Sequence, residues 1–316
     1  MTNLVSKNLK LVPAKCCVCD HENATRIGAG RDYEYDTSDD SFSAMRCDSC
    51  GLVYLNPRPD VSEFARIYPS NYHAFDFSEE NFGIVHKIRS RLEANRVLSW
   101  CKGLPDDARI LDVGCGDGFH LELLKKYGEK SWSLEGVDLD ARAVEMAKNR
   151  GLNARLGTVQ DIKESDFYDF AFTVQTIEHV EQPDAFLQSI KKVLKPGGKL
   201  VVVTDNTDSY DFKIFKNSHW GGYHFPRHWN LFNRKNLALL GEKAGLKTEK
   251  ITTQVSPVNW VYSFHNRFVD EQKPGWLINQ FTLKSTVSLS AFTALDIVLQ
   301  KLGNGGLLNA TFRKEN

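Results

Sequence analysis

A glycine-rich turn is the part of the sequence best suited to holding a ligand. Residues 110–118 read Ile-Leu-Asp-Val-Gly-Cys-Gly-Asp-Gly, which predicts a buried strand, a turn and then a helix. Gly114, Gly116 and Gly118 remove the Cβ atoms that would keep a ligand off the turn, and the following helix presents unpaired N–H groups there. We therefore expect a ligand with polar atoms on this turn. The alternative is a tight strand-to-helix turn of a doubly wound domain with no ligand.

An acidic residue closes the next predicted strand. Residues 134–139, Leu-Glu-Gly-Val-Asp-Leu, place Asp138 22 residues after Gly116, where its carboxylate could accept hydrogen bonds from both hydroxyls of a ribose. The dinucleotide fingerprint needs a third glycine at position 119, which is Phe119 here. Asp112 could instead hold the amino group of an amino-acid side arm. These features favour a nucleoside ligand other than a nicotinamide dinucleotide.

Four motifs together resemble the class I S-adenosylmethionine-dependent methyltransferases. They are residues 112–118, Asp138, Glu178-His179-Val180 and Leu194-Lys-Pro-Gly-Gly198, and the match covers about residues 105–205. The resemblance implies a doubly wound, seven-stranded Rossmann-like sheet with S-adenosylmethionine as cofactor. It places the glycines at the methionine part, Asp138 at the ribose and residues 158–160 at the adenine, although an acid is frequent where this chain has Thr158. The expected cofactor residues are Asp112, Gly114, Cys115, Gly116, Gly118, Asp138, Leu139, Thr158, Val159 and Gln175.

The segment after the fourth predicted strand could supply a general base. It reads Gln175-Thr-Ile-Glu178-His179, and an imidazole beside an acid could deprotonate a hydroxyl or an acidic carbon. We predict His179 as the base and Glu178 as its partner or as a structural acid. The alternative is that both residues close the strand and pack against a helix. The Asn- or Asp-Pro-Pro-aromatic run of amino-group methylases is absent from this position.

Residues 219–229 hold three histidines and four aromatic residues. Aromatic faces beside polar groups suit a sugar or a flat ring. We predict His224 and His228 as substrate-side residues, and packing in a β-hairpin core is the alternative.

Two Cys-x-x-Cys pairs predict a structural zinc site. Cys16 with Cys19 and Cys47 with Cys50 are separated by 27 residues, and four thiolates at two tight turns can share one tetrahedral Zn²⁺. The insert is longer than usual, and Cys17 competes with Cys16 as a ligand. Reduced cysteines without metal are the alternative.

A second resemblance concerns the N-terminal part. Residues 47–59, followed by Tyr68-Pro-Ser-Asn-Tyr72, are similar to methyltransferases that accompany sugar-nucleotide and surface-polysaccharide synthesis. The resemblance implies that this module covers the acceptor and that Tyr68 or Tyr72 touches it. The longer sugar C-methyltransferases carry an additional domain for which this chain is too short, so a hydroxyl acceptor is favoured over carbon.

Composition divides the chain into three zones that would position these residues. Residues 1–60 hold five of the seven cysteines and predict a zinc-ribbon-like module, and residues 61–105 predict a helical connector or lid. From 106 to 316, β-branched runs alternate with amphipathic segments, which predicts an α/β domain with a parallel sheet and C-terminal substrate-side elements.

Charge and hydropathy restrict the partners. Lys plus Arg and Asp plus Glu both total 40, so no net field favours nucleic acid. The N-terminus lacks the apolar core of a signal peptide, and we expect a cytoplasmic protein. We expect no transmembrane segment; residues 281–308 could lie on a membrane surface or, as we favour, pack on the sheet.

The sequence therefore predicts a methyltransferase acting on a hydroxyl of a sugar nucleotide or glycan intermediate, with a carbon of the same acceptor as the alternative. The alternatives are an RNA base methyltransferase that binds RNA through the zinc module, an O-methyltransferase of a quinone-like or other small molecule, and a protein that binds the cofactor without transferring its methyl group. The sequence predicts neither the identity of the acceptor nor the oligomeric state.

Overall fold

The computed structural model of the chain describes residues 7–69, 72 and 79–315, with side chains described outside 79–89. The strands are Leu11–Val12 (β1), Ala24–Gly30 (β2), Phe42–Cys47 (β3), Val53–Leu55 (β4), Arg58–Pro59 (β5), Arg109–Val113 (β6), Ser133–Asp138 (β7), Ala154–Leu156 (β8), Tyr168–Val174 (β9), Leu194–Asp205 (β10), Asn230–Leu231 (β11), Lys247–Gln254 (β12) and Leu307–Arg313 (β13). The α-helices are Phe64–Ile67 (α1), Glu79–Trp100 (α2), Phe119–Tyr127 (α3), Ala141–Asn149 (α4), Pro183–Val193 (α5), Tyr210–Phe215 (α6), Arg234–Lys243 (α7), Pro257–Asp270 (α8), Gly275–Ile278 (α9) and Thr286–Lys301 (α10).

A seven-stranded sheet forms the centre of the molecule. Its order is β12-β13-β10-β9-β6-β7-β8; β6 to β10 pair in parallel, and β13 runs antiparallel to both β10 and β12. The predicted doubly wound, seven-stranded Rossmann-like α/β sheet is confirmed.

Both faces of this sheet are buried because successive side chains on a strand point to opposite sides. Ile110, Phe170 and Val201 face one core with α2 and α3. Leu111 and Val202 face the other core with α5 and α7. This two-sided burial explains the apolar runs in β6, β9 and β10, and it fixes the carboxyl ends of the parallel strands at one edge.

The cysteine-rich N-terminal module is joined to the rest of the chain by a shared sheet. That sheet has the order β11-β4-β3-β2, and its edge strand β11 comes from residues that follow β10. Phe42 and Val53 of the module pack in one core with Trp220 and Trp229. The boundary drawn at residue 60 therefore crosses both a sheet and a core.

Three partly buried aromatic residues of the C-terminal region pack together. Phe264 packs against the rings of Phe281 and Phe292 at centroid distances of 5.2 and 5.6 Å. Val287 and Leu302, by contrast, are exposed. In the described part of the chain, no helix combines the length and apolar character needed to cross a membrane.

Candidate active site

The glycine turn lies between β6 and α3, at the carboxyl edge of the sheet. Gly114, Gly116 and Gly118 have φ angles of 78°, 53° and 82°, in the left-handed region that costs glycine little. α3 begins directly afterwards at Phe119. The turn therefore directs backbone N–H groups towards the edge at which parallel α/β sheets bind ligands.

Two of these glycines are needed by the protein itself. A Cβ on Gly118 would lie 2.4 Å from Cδ1 of Leu152, and one on Gly114 would lie 2.3 Å from Oγ1 of Thr176. The atoms that a Cβ would meet at these two positions thus belong to side chains of this chain. Sequence reasoning had attributed the need for glycine to a ligand.

Asp138 ties the end of β7 to the glycine turn. Its Oδ2 accepts a hydrogen bond from the Gly116 N–H and its Oδ1 accepts one from the Asp140 N–H, both at 2.8 Å. Each carboxylate oxygen retains a lone pair that could accept from a ribose hydroxyl. Burial raises the pKa of Asp138 above its ordinary value.

Asp112 is a buried acid with an unsatisfied oxygen. Its side chain is 1% exposed, and Oδ2 has no hydrogen-bond partner. Burial raises the pKa of Asp112 to about 7, because an ionised carboxylate is costly away from water. A cationic ammonium group bound at this position would supply the missing charge and donor, so the turn fits the amino-acid part of S-adenosylmethionine.

The remaining cofactor candidates occupy different environments. Leu139 is exposed at the end of β7, whereas Val159 is buried. The Thr158 N–H and hydroxyl both donate to Oδ2 of Asp161, at 2.7 and 2.8 Å. The side chain of Cys115 packs in a buried cluster between α3 and α4. Val159 and Cys115 could therefore contribute only backbone atoms to a ligand.

Gln175 follows β9 in a left-handed conformation, with φ of 51°. Its amide nitrogen donates to Oδ2 of Asp205 at 3.3 Å, and its Oε1 has no hydrogen-bond partner. A non-glycine residue at positive φ stores strain of the kind found at functional sites.

His179 ends a short 3-10 helix, Ile177–His179. Its Nδ1 lies 2.8 Å from the Tyr68 hydroxyl and 3.1 Å from the backbone carbonyl of Arg227. Burial lowers the pKa of His179 to about 3, so the imidazole is neutral at physiological pH.

Glu178 does not bond to its neighbour. Its Oε2 accepts a hydrogen bond from the Thr204 hydroxyl at 2.9 Å, while Oε1 has no partner. Burial, followed by the nearby charge of Asp205, raises the pKa of Glu178 well above its ordinary value. Two roles were predicted for Glu178, partner of His179 or structural acid, and this arrangement fits the second.

The predicted substrate-side residues lie around His179. The rings of His179 and His228 are 4.6 Å apart, those of His224 and His228 are 4.9 Å apart, and the Tyr72 hydroxyl lies 3.3 Å from Nε2 of His224. Tyr68 and Tyr72 meet edge to face at 5.1 Å. These five residues form one cluster, which we call the acceptor chamber after the role that we propose for it below: Tyr68, Tyr72, His179, His224 and His228.

Side chains behind the chamber fix two of its histidines. Nδ1 of His228 lies 2.8 Å from the Gly222 carbonyl and 3.3 Å from Oδ2 of Asp205. Nδ1 of His224 lies 2.8 Å from Oε2 of Glu34, in the loop between β2 and β3. Burial lowers the pKa of His228 well below its ordinary value.

Sequence reasoning missed Asp32, Glu34, Asp205 and Arg227. Asp32 and Arg227 form a bidentate ion pair whose side chains are both fully buried. Asp32 and Glu34 lie in the long insert between the cysteine pairs. Three histidines and an arginine within residues 219–228 were visible, but nothing in the sequence indicated that their partners lie near residue 32.

The same residues 219–229 also pack as core. Trp220, Tyr223 and Trp229 are buried, around a short 3-10 helix, Gly221–Tyr223, rather than a hairpin. The segment therefore uses its aromatic residues for packing and His224 and His228 for the chamber.

The four predicted zinc ligands form one cluster. Sγ of Cys16 lies 3.4 Å from that of Cys50 and 3.6 Å from that of Cys19, and Sγ of Cys19 lies 3.5 Å from that of Cys47. Tetrahedral Zn²⁺ with bonds of about 2.3 Å brings its sulfurs to comparable separations. Cys17 is apart from them and donates to Oδ1 of Asn230, so the donor set fits a structural zinc.

A family model described as a methyltransferase domain matches residues 77–251, more than half of the chain. The chain belongs to this family. It is therefore an S-adenosylmethionine-dependent methyltransferase, as the resemblance of its four motifs implied.

Curated relatives of this methyltransferase act in ubiquinone biosynthesis. The ubiquinone biosynthesis O-methyltransferase of Xanthomonas oryzae pv. oryzae is 33% identical over 115 residues, 34% of this chain and 47% of that protein. The mitochondrial enzyme of the same name from Schizosaccharomyces pombe is 36% identical over 105 residues, 30% of this chain and 37% of that protein. The methyltransferase thus matches less than half the length of these relatives.

Solved structures share the fold. A methyltransferase from Thermotoga maritima, described as a possible histamine N-methyltransferase, has a TM-score of 0.50 at 22% identity and covers 77% of this chain and 97% of its own. The geranyl diphosphate C-methyltransferase of Streptomyces coelicolor A3(2) also has a TM-score of 0.50, at 15% identity, covering 75% and 81%. These likenesses concern the fold alone.

Proposed function

We propose that this methyltransferase transfers the methyl group of S-adenosylmethionine to a hydroxyl of a sugar nucleotide or glycan intermediate, with His179 as general base. The observation that carries the proposal is the acceptor chamber, which gathers three imidazoles and two tyrosines beside the carboxyl edge of the sheet. Imidazole and phenol groups suit a small, hydroxyl-bearing ligand whose apolar faces need aromatic partners.

The glycine turn and Asp138 would hold the cofactor, and Asp112 would pair with its ammonium group. The bound cofactor supplies an electrophilic methyl on a sulfonium. Methyl transfer is an in-line displacement, so the chain contributes mainly alignment and exclusion of water.

His179 would accept the proton of the hydroxyl. Because burial lowers the pKa of His179 to about 3, its ring keeps a free lone pair at any physiological pH. A positioned general base contributes roughly 100- to 10,000-fold in rate, and the gain is largest when its pKa lies near the working pH. The low pKa of His179 therefore places its expected contribution at the lower end of this range.

Glu34 and Arg227 already have partners within the protein. The Glu34 side chain is 5% exposed, and its Oε2 lies 2.8 Å from Nδ1 of His224. The guanidinium of Arg227, being paired with Asp32, is not available for a phosphate.

A phenolic hydroxyl is the second candidate acceptor. The curated relatives are O-methyltransferases of ubiquinone biosynthesis, and the tyrosine rings of the chamber could also stack on an aromatic ring. Methylation of RNA has less support, because the loop between β2 and β3 exposes two acids, Asp36 and Asp39, against one base, Arg31, and therefore presents no basic face.

Methyl transfer from isotopically labelled S-adenosylmethionine would test the proposal. Purified full-length protein is incubated separately with UDP-glucose, dTDP-glucose, 3,4-dihydroxybenzoate and total RNA, and labelled products are identified by mass spectrometry. Methylation of a sugar nucleotide supports the proposal. Methylation of the phenol instead would establish the second candidate, and methylation of RNA would overturn both.

Variants would locate the base. His179→Gln is expected to reduce the rate at least about 100-fold without weakening cofactor binding. His219→Gln is the matched control, because His219 lies in the same segment as His224 but pairs with Asp270. An equal loss in both variants would contradict the role of His179.

A further inference from the structure

The carbonyl of Arg227 determines which nitrogen of His179 carries the proton. A carbonyl oxygen can only accept a hydrogen bond, so its 3.1 Å contact with Nδ1 is favourable only when Nδ1 is protonated. A bare Nδ1 would set two lone pairs against each other. The Tyr68 hydroxyl, 2.8 Å from the same nitrogen, can donate or accept and is compatible with either form.

The side chain of Arg227 holds that carbonyl in place. Its Nε donates to the Ile67 carbonyl at 2.6 Å and its Nη1 donates to the Phe225 carbonyl at 3.0 Å. Nη1 and Nη2 also donate to the two carboxylate oxygens of Asp32, at 3.2 and 2.8 Å. The guanidinium further lies over the Tyr35 ring at 4.4 Å. Four fixed acceptors and an aromatic face leave this residue one conformation.

Asp32 is fixed in turn by its own loop. Its carboxylate accepts hydrogen bonds from the N–H groups of Tyr35 and Thr37, both at 3.0 Å. The loop connects β2 to β3, and β3 ends at Cys47 of the cysteine cluster. The long insert between the cysteine pairs thus carries Asp32 to Arg227.

Two hydrogen bonds join the segment that follows Arg227 to the segment that contains His179. The Trp229 N–H donates to the Glu178 carbonyl at 2.8 Å, and the side-chain amide of Asn230 donates to the Val180 carbonyl at 2.9 Å. Residues 227–230 therefore run alongside residues 178–180, so a shift of Arg227 is transmitted to His179.

We propose that Asp32 and Arg227 are positioning residues that hold His179 in its Nδ1–H tautomer, leaving Nε2 as the atom that accepts the proton of the methyl acceptor. The inference rests on the proposed function for the role of His179. In the reaction the acceptor oxygen forms a bond to the methyl carbon as the carbon–sulfur bond breaks. The sulfur keeps that electron pair, and the hydroxyl proton passes to Nε2 and later to solvent.

The hydrogen bond to Arg227 also affects basicity. Burial lowers the pKa of His179, whereas donation from Nδ1–H to the Arg227 carbonyl acts in the opposite direction, because the imidazolium form makes the stronger hydrogen bond. Asp32, from the module that bears the cysteine cluster, thereby influences a proton transfer that it does not touch.

Nitrogen NMR of the ring tests the tautomer without an acceptor. Protein labelled with ¹⁵N-histidine is recorded in long-range ¹H–¹⁵N spectra at neutral pH, and His179→Gln assigns the signals. We expect one set of signals with a protonated Nδ1 and a bare Nε2. A bare Nδ1 in the unaltered protein would overturn the proposal.

Variants then test the positioning. Asp32→Asn should replace the single Nδ1–H signal set by the averaged shifts of two tautomers, while the affinity for S-adenosylmethionine stays unchanged. Asp36→Asn is the matched control in the same loop, since Asp36 forms an exposed pair with Lys7, and it should keep the original signals. An unchanged tautomer in folded Asp32→Asn would overturn the positioning role.

Arg227→Lys gives a second route if Asp32→Asn does not fold. Lysine keeps a charge for Asp32 but cannot donate to four acceptors at once, and the same loss of the single tautomer is expected. If the tautomer is as proposed but no sugar nucleotide is methylated, the acceptor class fails while the assignment of the ring nitrogen remains.

Discussion

Glu34, in the loop between β2 and β3, lies 2.8 Å from Nδ1 of His224, which follows β10. Their side chains are 5% and 13% exposed. An acid from the N-terminal module therefore forms part of the wall of the acceptor chamber, and the module belongs to the candidate active site in addition to its cysteine cluster.

Asp112→Asn is expected to weaken cofactor binding. The variant removes a charge-assisted hydrogen bond worth about 1.5–3 kcal/mol, which corresponds to roughly a 10- to 100-fold loss of affinity for S-adenosylmethionine. Calorimetric titration measures the loss, and Asp107→Asn, an exposed carboxylate ahead of β6, should bind like the unaltered protein.

The same variant is expected to stabilise the cofactor-free protein at alkaline pH. Because burial raises the pKa of Asp112 from 3.8 to about 7, the native state binds more protons than the unfolded chain between these values, and the free energy of unfolding falls as pH rises through that window. The penalty at about pH 8 is at most about 4 kcal/mol, at roughly 1.4 kcal/mol per pKa unit. Thermal unfolding at about pH 6 and pH 8 measures it. Unchanged affinity together with lower stability would identify Asp112 as a structural acid.

Removal of the cysteine cluster is expected to abolish zinc binding and to destabilise the whole chain. Cys47→Ser should reduce the zinc content from about one ion per chain to nearly none, measured by elemental analysis. Its unfolding temperature should fall as well, because the cysteines pack in the same core as β6 and α5. Cys17→Ser is the control, and loss of zinc in that variant would show that the donor set is assigned incorrectly.

Gly118→Ala is expected to destabilise the fold more than Gly103→Ala. Both residues have positive φ, at 82° and 79°, but a Cβ at 103 meets nothing within 4 Å, whereas one at 118 meets Leu152 at 2.4 Å. The left-handed conformation costs alanine about 1–2 kcal/mol, and the overlap adds about 1–3 kcal/mol. The difference in the free energy of unfolding between the two variants, measured by denaturant unfolding, gives the cost of the overlap. Leu152→Ala should recover part of the Gly118→Ala loss, and equal losses in the two glycine variants would contradict this account.

Asp32→Ala is expected to cost about 3–5 kcal/mol in the free energy of unfolding, since it leaves the fully buried Arg227 guanidinium without its counter-ion. Glu271→Ala is the comparison, because Glu271 pairs with Arg267 at the surface, where the two side chains are 35% and 51% exposed, and surface pairs contribute about 0–1 kcal/mol. The double variant Asp32→Leu with Arg227→Met should recover most of the loss. Comparable losses for Asp32→Ala and Glu271→Ala would show that burial of the pair is unimportant.

The parallel part of the sheet could be predicted because its information is local, whereas the number of seven strands came from the family resemblance. The apolar runs of β6 and β10, the glycines at their ends and the amphipathic helices between them repeat along the chain in the order of the fold. α5, at Pro183–Val193, is one such helix and has proline at its start. The positions of Asp112 and Asp138 follow from the strands that carry them.

The walls of the acceptor chamber could not be predicted from local pattern. Glu34 and His224, like Asp32 and Arg227, are distant in sequence, and no periodicity links a loop of the N-terminal module to a loop after β10. The stereochemical reasons for Gly114 and Gly118 were also hidden, since they depend on Thr176 and Leu152.

Strand β11, which pairs with β4 across the boundary near residue 60, restricts how such enzymes can exchange parts by recombination. A crossover that replaced only the cysteine-rich segment would bring a new β4 against an old β11 and a new Asp32 loop against an old Arg227. Inheritance of the N-terminal module should therefore be linked to that of residues 219–231, although the two segments are far apart in the gene. A transplant intended to change acceptor choice should carry both segments together.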